Sequence, residues 1–534
     1  MYDILIKNAA IVDGSGKPAY TGNLLVSDGK IAGVGDVTGE AKTVIDAAGK
    51  VLTPGFIDSH GHNDITILFD PTNRYKLEQG VTTEVSGCCG ESLFPVATEN
   101  YEERSATKSI LDFNKYHCDF DPRKYTSGKI WFDYADSLPL GTNMIMLVGH
   151  GAIRAAVMGF ENRPATPEEL EQMKALLREA MEAGAAGMST GIAYAPGVFT
   201  PEEEIQELCQ VVAEYGGIYS THMRNQGARL LDSVEETLRV TRKTGVKTVI
   251  SHLKSIGKPN WGQIKQVRER IDLAIKEEHL PVTWDAYPYV AGSTTLKITL
   301  PPSVLGGGDS ELVQKMRQTY WRAYVKEQIQ NPTEQWENAI GNNGFDSIFV
   351  ISAPATPDAE GKTLQEYADC LKSDPFEAYF DLIEKNMETG DVKTINFVMC
   401  EEDLMDAIKC PYSMIGSDGC VISTDEQVHP RGIGTFPRYL GRYVRDQRIL
   451  SMEDGIRKLT GLAAEFYDLK NKGYLYQDYD ADLVLLDYDK VLDHADFGNC
   501  FQKNEGIEMV ILGGKVVVEN GTFNGTCNGC VVRR

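Results

Sequence analysis

Eight short apolar runs, each closing on polar residues and most separated by helical patterns, constrain this chain more than any other feature. They are Val51–His60, Val81–Cys89, Met144–His150, Gly184–Thr190, Ile218–Arg224, Thr248–Lys254, Val282–Tyr287 and Tyr412–Asp418. Strands this apolar are buried on both faces, as in a parallel sheet covered by helices. Amphipathic segments lie between them. Pro167–Glu182, for example, opens on Thr166 as a cap with Glu168 and Glu169 in the first turn. Eight such units predict an α/β fold, a (β/α)8 TIM-like barrel. The spacing is regular except between the seventh and eighth runs. There a Pro301-Pro302 break, a Gly306-Gly307-Gly308 turn and helical runs around Glu311–Gln330 and Leu364–Glu388 mark an insertion after strand seven. It spans about residues 297–395 and is expected on the rim as a lid.

Both ends of the chain read as β. Short runs such as Asp3–Asn8, Asn23–Ser27 and Lys30–Val34 are divided by Gly/Asp turns, and Ala481–Asp487, Ile507–Leu512 and Lys515–Glu519 have the same texture. Neither end is long enough to close a core alone. The expected arrangement is a small β-sandwich domain built from residues 1–54 and 471–534, flanking a barrel of residues 55–470.

Composition narrows the partners. Of the 534 residues, 42% are apolar and 24% charged, a globular balance. Lys+Arg number 53 against 77 Asp+Glu, a net charge of -24. A nucleic-acid partner, which needs a basic face, is therefore not expected. No window of 18 apolar residues and no leader pattern occurs, so neither a membrane span nor export is expected. The 11 cysteines form no paired framework, which predicts reduced thiols in the cytoplasm. The expected partner is a small molecule; the sequence fixes no oligomeric state.

Chemistry concentrates at the strand ends. Asp58-Ser-His60-Gly-His62 follows the first run, and residues two apart in an extended segment point the same way, so both imidazoles can face one metal. His222 closes the fifth run, His252 the sixth and Asp418 the eighth. In a barrel these ends meet around one mouth. The second run ends Cys88-Cys89-Gly90, and alternation lets only one thiol face inward; spacing does not choose between them. His150, ending the third run, reads as structural support.

These residues carry a resemblance to the N-acyl-D-amino-acid deacylases (D-aminoacylases) of the amidohydrolase superfamily. Matching blocks are Pro54-Gly-Phe-Ile-Asp-Ser-His60-Gly-His62, Gln79-Gly-Val-Thr-Thr83, Cys89-Gly90, Gly187-Met-Ser-Thr-Gly191, Thr221-His-Met-Arg224, Ile250-Ser-His-Leu-Lys254, Tyr287-Pro-Tyr289, Ile415-Gly-Ser-Asp418-Gly419, His429-Pro-Arg431 with Gly434-Thr-Phe-Pro-Arg438, and Asp480–Asp487. The resemblance implies hydrolysis of N-acyl-D-amino acids by one tight Zn2+ site at Cys89, His222 and His252, with a weaker second position at His60 and His62. It selects Cys89 over Cys88, which stands where the family has Asn; Leu253 stands where relatives often carry His. The fourth run ends Ser189-Thr190-Gly191 without the Lys that cyclic-amide hydrolases carboxylate.

Within that reading Asp418 is the general base and acid. Lys254, Tyr287 and Arg431 would hold the substrate carboxylate. Arg224 is expected in a rim salt bridge and Arg438 as a loop anchor. Lys297 would favour an acidic substrate side chain, although a lone Lys more often belongs to the surface and broad or neutral specificity is the expectation. Two other readings stay open: another amidohydrolase reaction, by a dipeptidase or a cyclic amide or imide hydrolase such as dihydroorotase, and a catalytically inactive barrel scaffold.

Overall fold

The structure is a computed structural model and describes residues 1–97, 99–100, 104, 121–387, 391–421 and 427–534. The barrel strands are β1 (Phe56–Asp58), β2 (Val81–Ser86), β3 (Asn143–Gly149), β4 (Gly187–Gly191), β5 (Ile218–His222), β6 (Lys247–Ile250), β7 (Val282–Ala286) and β8 (Ser413–Ile415). All are parallel and lie side by side in sequence order. β1 and β8 approach to complete the ring, Asp418 N donating to His60 O at 2.8 Å.

Alternation within a strand explains the two-sided burial. Ile145 and Leu147 of β3 pack inside the barrel with Ile57, Val85, Ile218, Val249 and Met414. Their neighbours Met144, Met146 and Val148 pack outward against Trp131, Leu177 and the helices. The helix expected at Pro167–Glu182 spans Pro167–Ala183, its first turn closed by a reciprocal Thr166–Glu169 capping box.

One apolar run serves two sheets. Val51–Pro54 pairs with Leu483–Leu486 outside the barrel, and Phe56–Asp58 opens the barrel itself. Gly55 separates them, because a Cβ there would fall 2.1 Å from Thr82 Oγ1. The two ends of the chain form a nine-stranded sheet. It is continuous in hydrogen bonding but folds over one apolar layer, in which Ile4, Ile6, Leu24 and Ile31 meet Leu483, Leu485 and Ile511. The alternate residues Val484 and Leu486 face the barrel and pack with Phe56.

Between β7 and β8 the chain builds a four-stranded antiparallel sheet from Gly292–Thr295, Ile348–Ser352, Lys362–Thr363 and Lys393–Asn396, with its own apolar core. The sequence reading found helices here and no sheet. The expected run Glu311–Gln330 is two helices, Gly308–Met316 and Thr319–Gln330. Leu364–Glu388 is also two, Leu364–Leu371 and Pro375–Asn386, broken where Lys372 turns left-handed ahead of Pro375; Glu388 lies outside the described residues. Among the described residues no helix is long and apolar enough to cross a membrane.

Candidate metal centre

The strand ends bring Cys89, His60, His62, His222, His252 and Asp418 together. Cys89, His252 and Asp418 all have positive φ (56°, 36° and 51°), so the chain turns sharply as it leaves β2, β6 and β8. Such backbone costs roughly 1–3 kcal/mol per residue and persists where surrounding structure enforces it. Ser189 helps enforce it at Cys89: its hydroxyl donates to Gly87 O at 2.5 Å and accepts from Gly90 N at 2.9 Å. Cys89 Sγ lies 3.3 Å from His252 Nε2 and 3.4 Å from His60 Nε2. In each of three sets, Cys89/His222/His252, His60/His62/Cys89 and His60/His252/Asp418, the ligand atoms lie within 4.8 Å of one another.

The outer nitrogens of three rings are held from behind. His222 Nδ1 is 2.7 Å from Tyr194 Oη, and His60 Nδ1 is 3.4 Å from Asp285 Oδ2. Gln226 Nε2 is 3.3 Å from His252 Nδ1, while Gln226 Oε1 is buried without a partner among the described residues. Turning that amide over lets its oxygen accept Nδ1–H, which leaves the Nε2 lone pair for a metal. His222 Nε2 is itself buried and has no hydrogen-bond partner among the described residues. Burial, reinforced by Lys254, pushes both His222 and His252 well below the usual imidazole range, and burial pushes the Cys89 thiol well up. Neutral imidazoles and a thiol awaiting a cation form a donor set that fits zinc.

Asp418 sits opposite. Its Oδ1 is 3.1 Å from His62 Nε2 and 3.7 Å from His60 Nε2, and its Oδ2 is 2.9 Å from Arg431 Nη1. Burial alone would raise this carboxyl, but Arg431 and His62 outweigh it and hold Asp418 well below the carboxylate range. Arg431 and Lys254 flank the Tyr287 ring at 4.8 and 5.3 Å. Lys254 also donates to His252 O at 3.1 Å, and burial brings its ammonium down to about 8.

Other sequence candidates find structural partners. His150 pairs with Glu204 at 3.0 Å, away from the ligand sets. Arg224 pairs with Glu236 at 2.7 Å and bonds the Val198 and Thr200 carbonyls. Arg438 donates to Pro288 O and pairs with Asp493. Lys297 is paired with both Asp309 (2.9 Å) and Asp391 (3.3 Å), so its charge is already matched. Cys88 packs in the barrel interior beside Val85 and Tyr467.

The sequence reading missed the orienting groups Tyr194, Gln226 and Asp285. Asp285 alone left a signal, standing two residues before Tyr287 on β7 and so on the same face. It also missed a buried charge group under β1, in which Lys76 Nζ contacts Asp58 and Ser417.

Comparison with known proteins finds relatives over the full length of the chain. A D-aminoacylase of Alcaligenes xylosoxydans xylosoxydans is 35% identical over 100% of this chain and 98% of its own. The crystal structure of N-acyl-D-glutamate deacylase from Bordetella bronchiseptica, complexed with zinc and a phosphonate mimic of the tetrahedral intermediate, superposes with a TM-score of 0.84. It is 30% identical and covers 100% of both chains. A D-aminoacylase structure addressing one-metal activation and second-metal attenuation in a binuclear centre gives 0.83, at 32% identity with both chains fully covered. The sequence pattern of the amidohydrolase family matches residues 43–518. With the family pattern covering most of its length and a full-length relative at 35% identity, the chain belongs to the amidohydrolase family.

Proposed function

We propose that this chain is a zinc-dependent N-acyl-D-amino-acid deacylase, releasing a carboxylate and a free D-amino acid. The observation that carries the reading is one buried thiol and two buried imidazoles whose ligand atoms converge within 4.8 Å, beside the carboxylate of Asp418. Cys89, His222 and His252 would hold the tight ion, and His60 and His62 with Cys89 a weaker second one. Zinc, when bound, polarises an amide carbonyl and lowers the pKa of a water towards about 7. Asp418 takes the proton of the attacking water and returns it to the departing nitrogen, a role supported by its place beside both histidine sets. His62 and Arg431 hold its two oxygens in place.

The substrate carboxylate belongs near Lys254, Tyr287 and Arg431, the cationic wall of the site. Arg431 shares its guanidinium with Asp418, so its charge serves both anions. Preference for the D-enantiomer comes from the relatives, not from this geometry. A reducing cytoplasmic compartment suits an enzyme that needs Cys89 as a free thiol.

Assay of the zinc-loaded protein on matched N-acetyl-D- and N-acetyl-L-amino acids and on dihydroorotate tests the proposal. Turnover of the D series alone is expected. Turnover only of the cyclic substrate, or of none, contradicts it.

A further inference from the structure

The barrel seam between β1 and β8 differs from the other strand junctions. Its backbone bonds are Asp418 N to His60 O at 2.8 Å and two long ones, Ser59 N to Ile415 O and His62 N to Gly419 O, both at 3.4 Å. Side chains supply the rest. Asp58 Oδ1 accepts from His60 N at 3.1 Å on its own strand and from Ser417 N at 2.8 Å across the seam. Asp58 Oδ2 accepts from Ser417 Oγ at 2.6 Å and from Lys76 Nζ. Lys76 Nζ also donates to Ser417 Oγ at 2.5 Å and lies 3.8 Å from Glu84 of β2. Asn63 and Asn73 hold Glu84 in turn. Asp58, Lys76, Glu84 and Ser417 are all within 1% of full burial.

This cluster stands directly behind the reacting groups. The segment after β1 carries His60 and His62, and the segment after β8 carries Asp418. Gly61, between the two histidines, rests on the cluster: a Cβ there would lie 3.6 Å from both Lys76 Nζ and Glu84 Oε2. A buried charge network with its bonds satisfied has few alternative geometries, so it is stiff. Loss of the central cation leaves two carboxylates facing each other under the seam.

We propose that Lys76 is a positioning residue. Through Asp58 and Ser417 it fixes the distance between the His60/His62 pair and Asp418, and so sets both the second metal position and the placement of the base. This rests on the deacylase reading only for the role of Asp418; the metal position is testable without substrate.

The test compares Lys76→Met, Lys76→Arg and Ser417→Ala with the wild-type enzyme. One readout is kcat and KM on an N-acetyl-D-amino acid. The other is titration of chelator-stripped protein with Zn2+ alone, resolving the tight and weak ions. Lys76→Met is expected to lower kcat and weaken the second ion, each by about 10- to 100-fold, with KM and the tight ion little changed. Lys76→Arg restores part of both. Should Lys76→Met fail to fold, Ser417→Ala carries the test, with both effects in the same direction and several-fold in size. Unchanged kcat and unchanged second-ion affinity in a folded Lys76→Met, or in Ser417→Ala if that variant alone folds, overturns the proposal. Equal weakening of both ions overturns it too, since that is general loosening. If the wild type proves inactive on every N-acyl-D-amino acid, the deacylase reading fails and the titration still decides the role of Lys76.

Discussion

The two ends of the barrel obey opposite rules. At the base and through the interior, Ile57, Val85, Ile145, Leu147, Ile218, Val249 and Met414 fill the ring with aliphatic side chains. The last residues of the chain cover that end: Met144 N donates to Cys530 O and Val532 N to Met144 O, at 2.9 and 2.8 Å. At the mouth the same strands end in imidazoles, a thiol and carboxylates, with left-handed backbone at Cys89, His252 and Asp418 and a His222 Nε2 that has no partner among the described residues. The base gains stability from burial, while the mouth retains strain and desolvated polar atoms that a bound cation relieves. Substitutions at the two ends therefore separate activity from stability.

The largest effect belongs to the mouth. Cys89→Ala or His222→Ala is expected to remove tightly bound zinc and to lower kcat/KM by several kcal/mol, about 10^3-fold or more, with folding retained. Metal analysis and steady-state kinetics check both halves. Asp418→Asn is expected to keep the tight zinc and lose about 10^2- to 10^4-fold in kcat. Tyr194→Phe, which removes the group behind His222, is expected to weaken zinc by about 10- to 100-fold.

The base gives the converse. Ile218→Ala, at the buried start of β5, is expected to cost about 2–5 kcal/mol of stability while kcat per folded molecule stays within about twofold. A large kcat loss there would break the division between the ends.

The most gradual effect, spread over several pH units, lies under the seam. Burial raises the Glu84 carboxyl from its ordinary 4.5 to about 7, against the opposing charge of Lys76. Between those values the folded chain binds more protons than the unfolded one. Stability contributed by this group is therefore present below pH 4.5 and lost as pH rises to about 7, by at most roughly 1.4 kcal/mol per pH unit. Glu84→Gln is expected to flatten that part of the stability curve, read by denaturant unfolding at several pH values.

The barrel was legible because its strands are apolar on both faces, and the cluster of His, Cys and Asp side chains was legible because each member lies at or just past a strand end. Resemblance, not spacing, separated Cys89 from Cys88; the two lie on adjacent residues and differ only in which way the turn at Gly87 and Gly90 sends them. The sheet between β7 and β8 escaped notice because its strands are short. Gly292–Thr295 is half-buried throughout and Lys362–Thr363 has only two residues, so neither shows a period. Lys76, Tyr194 and Gln226 lie in a short helix and in loops, where no repeating pattern marks a side chain that turns inward. The paired state of Lys297 was equally hidden, since Asp391 reaches it from the far end of the insertion.

The central claim is that Cys89, His222 and His252 share one zinc ion. X-ray absorption at the zinc edge of the purified protein loaded with one equivalent tests it directly. The account predicts one sulfur at about 2.3 Å and two imidazole nitrogens at about 2.0–2.1 Å, the sulfur disappearing in Cys89→Ala. A shell of nitrogen and oxygen alone, or a sulfur that survives in Cys89→Ala, contradicts it.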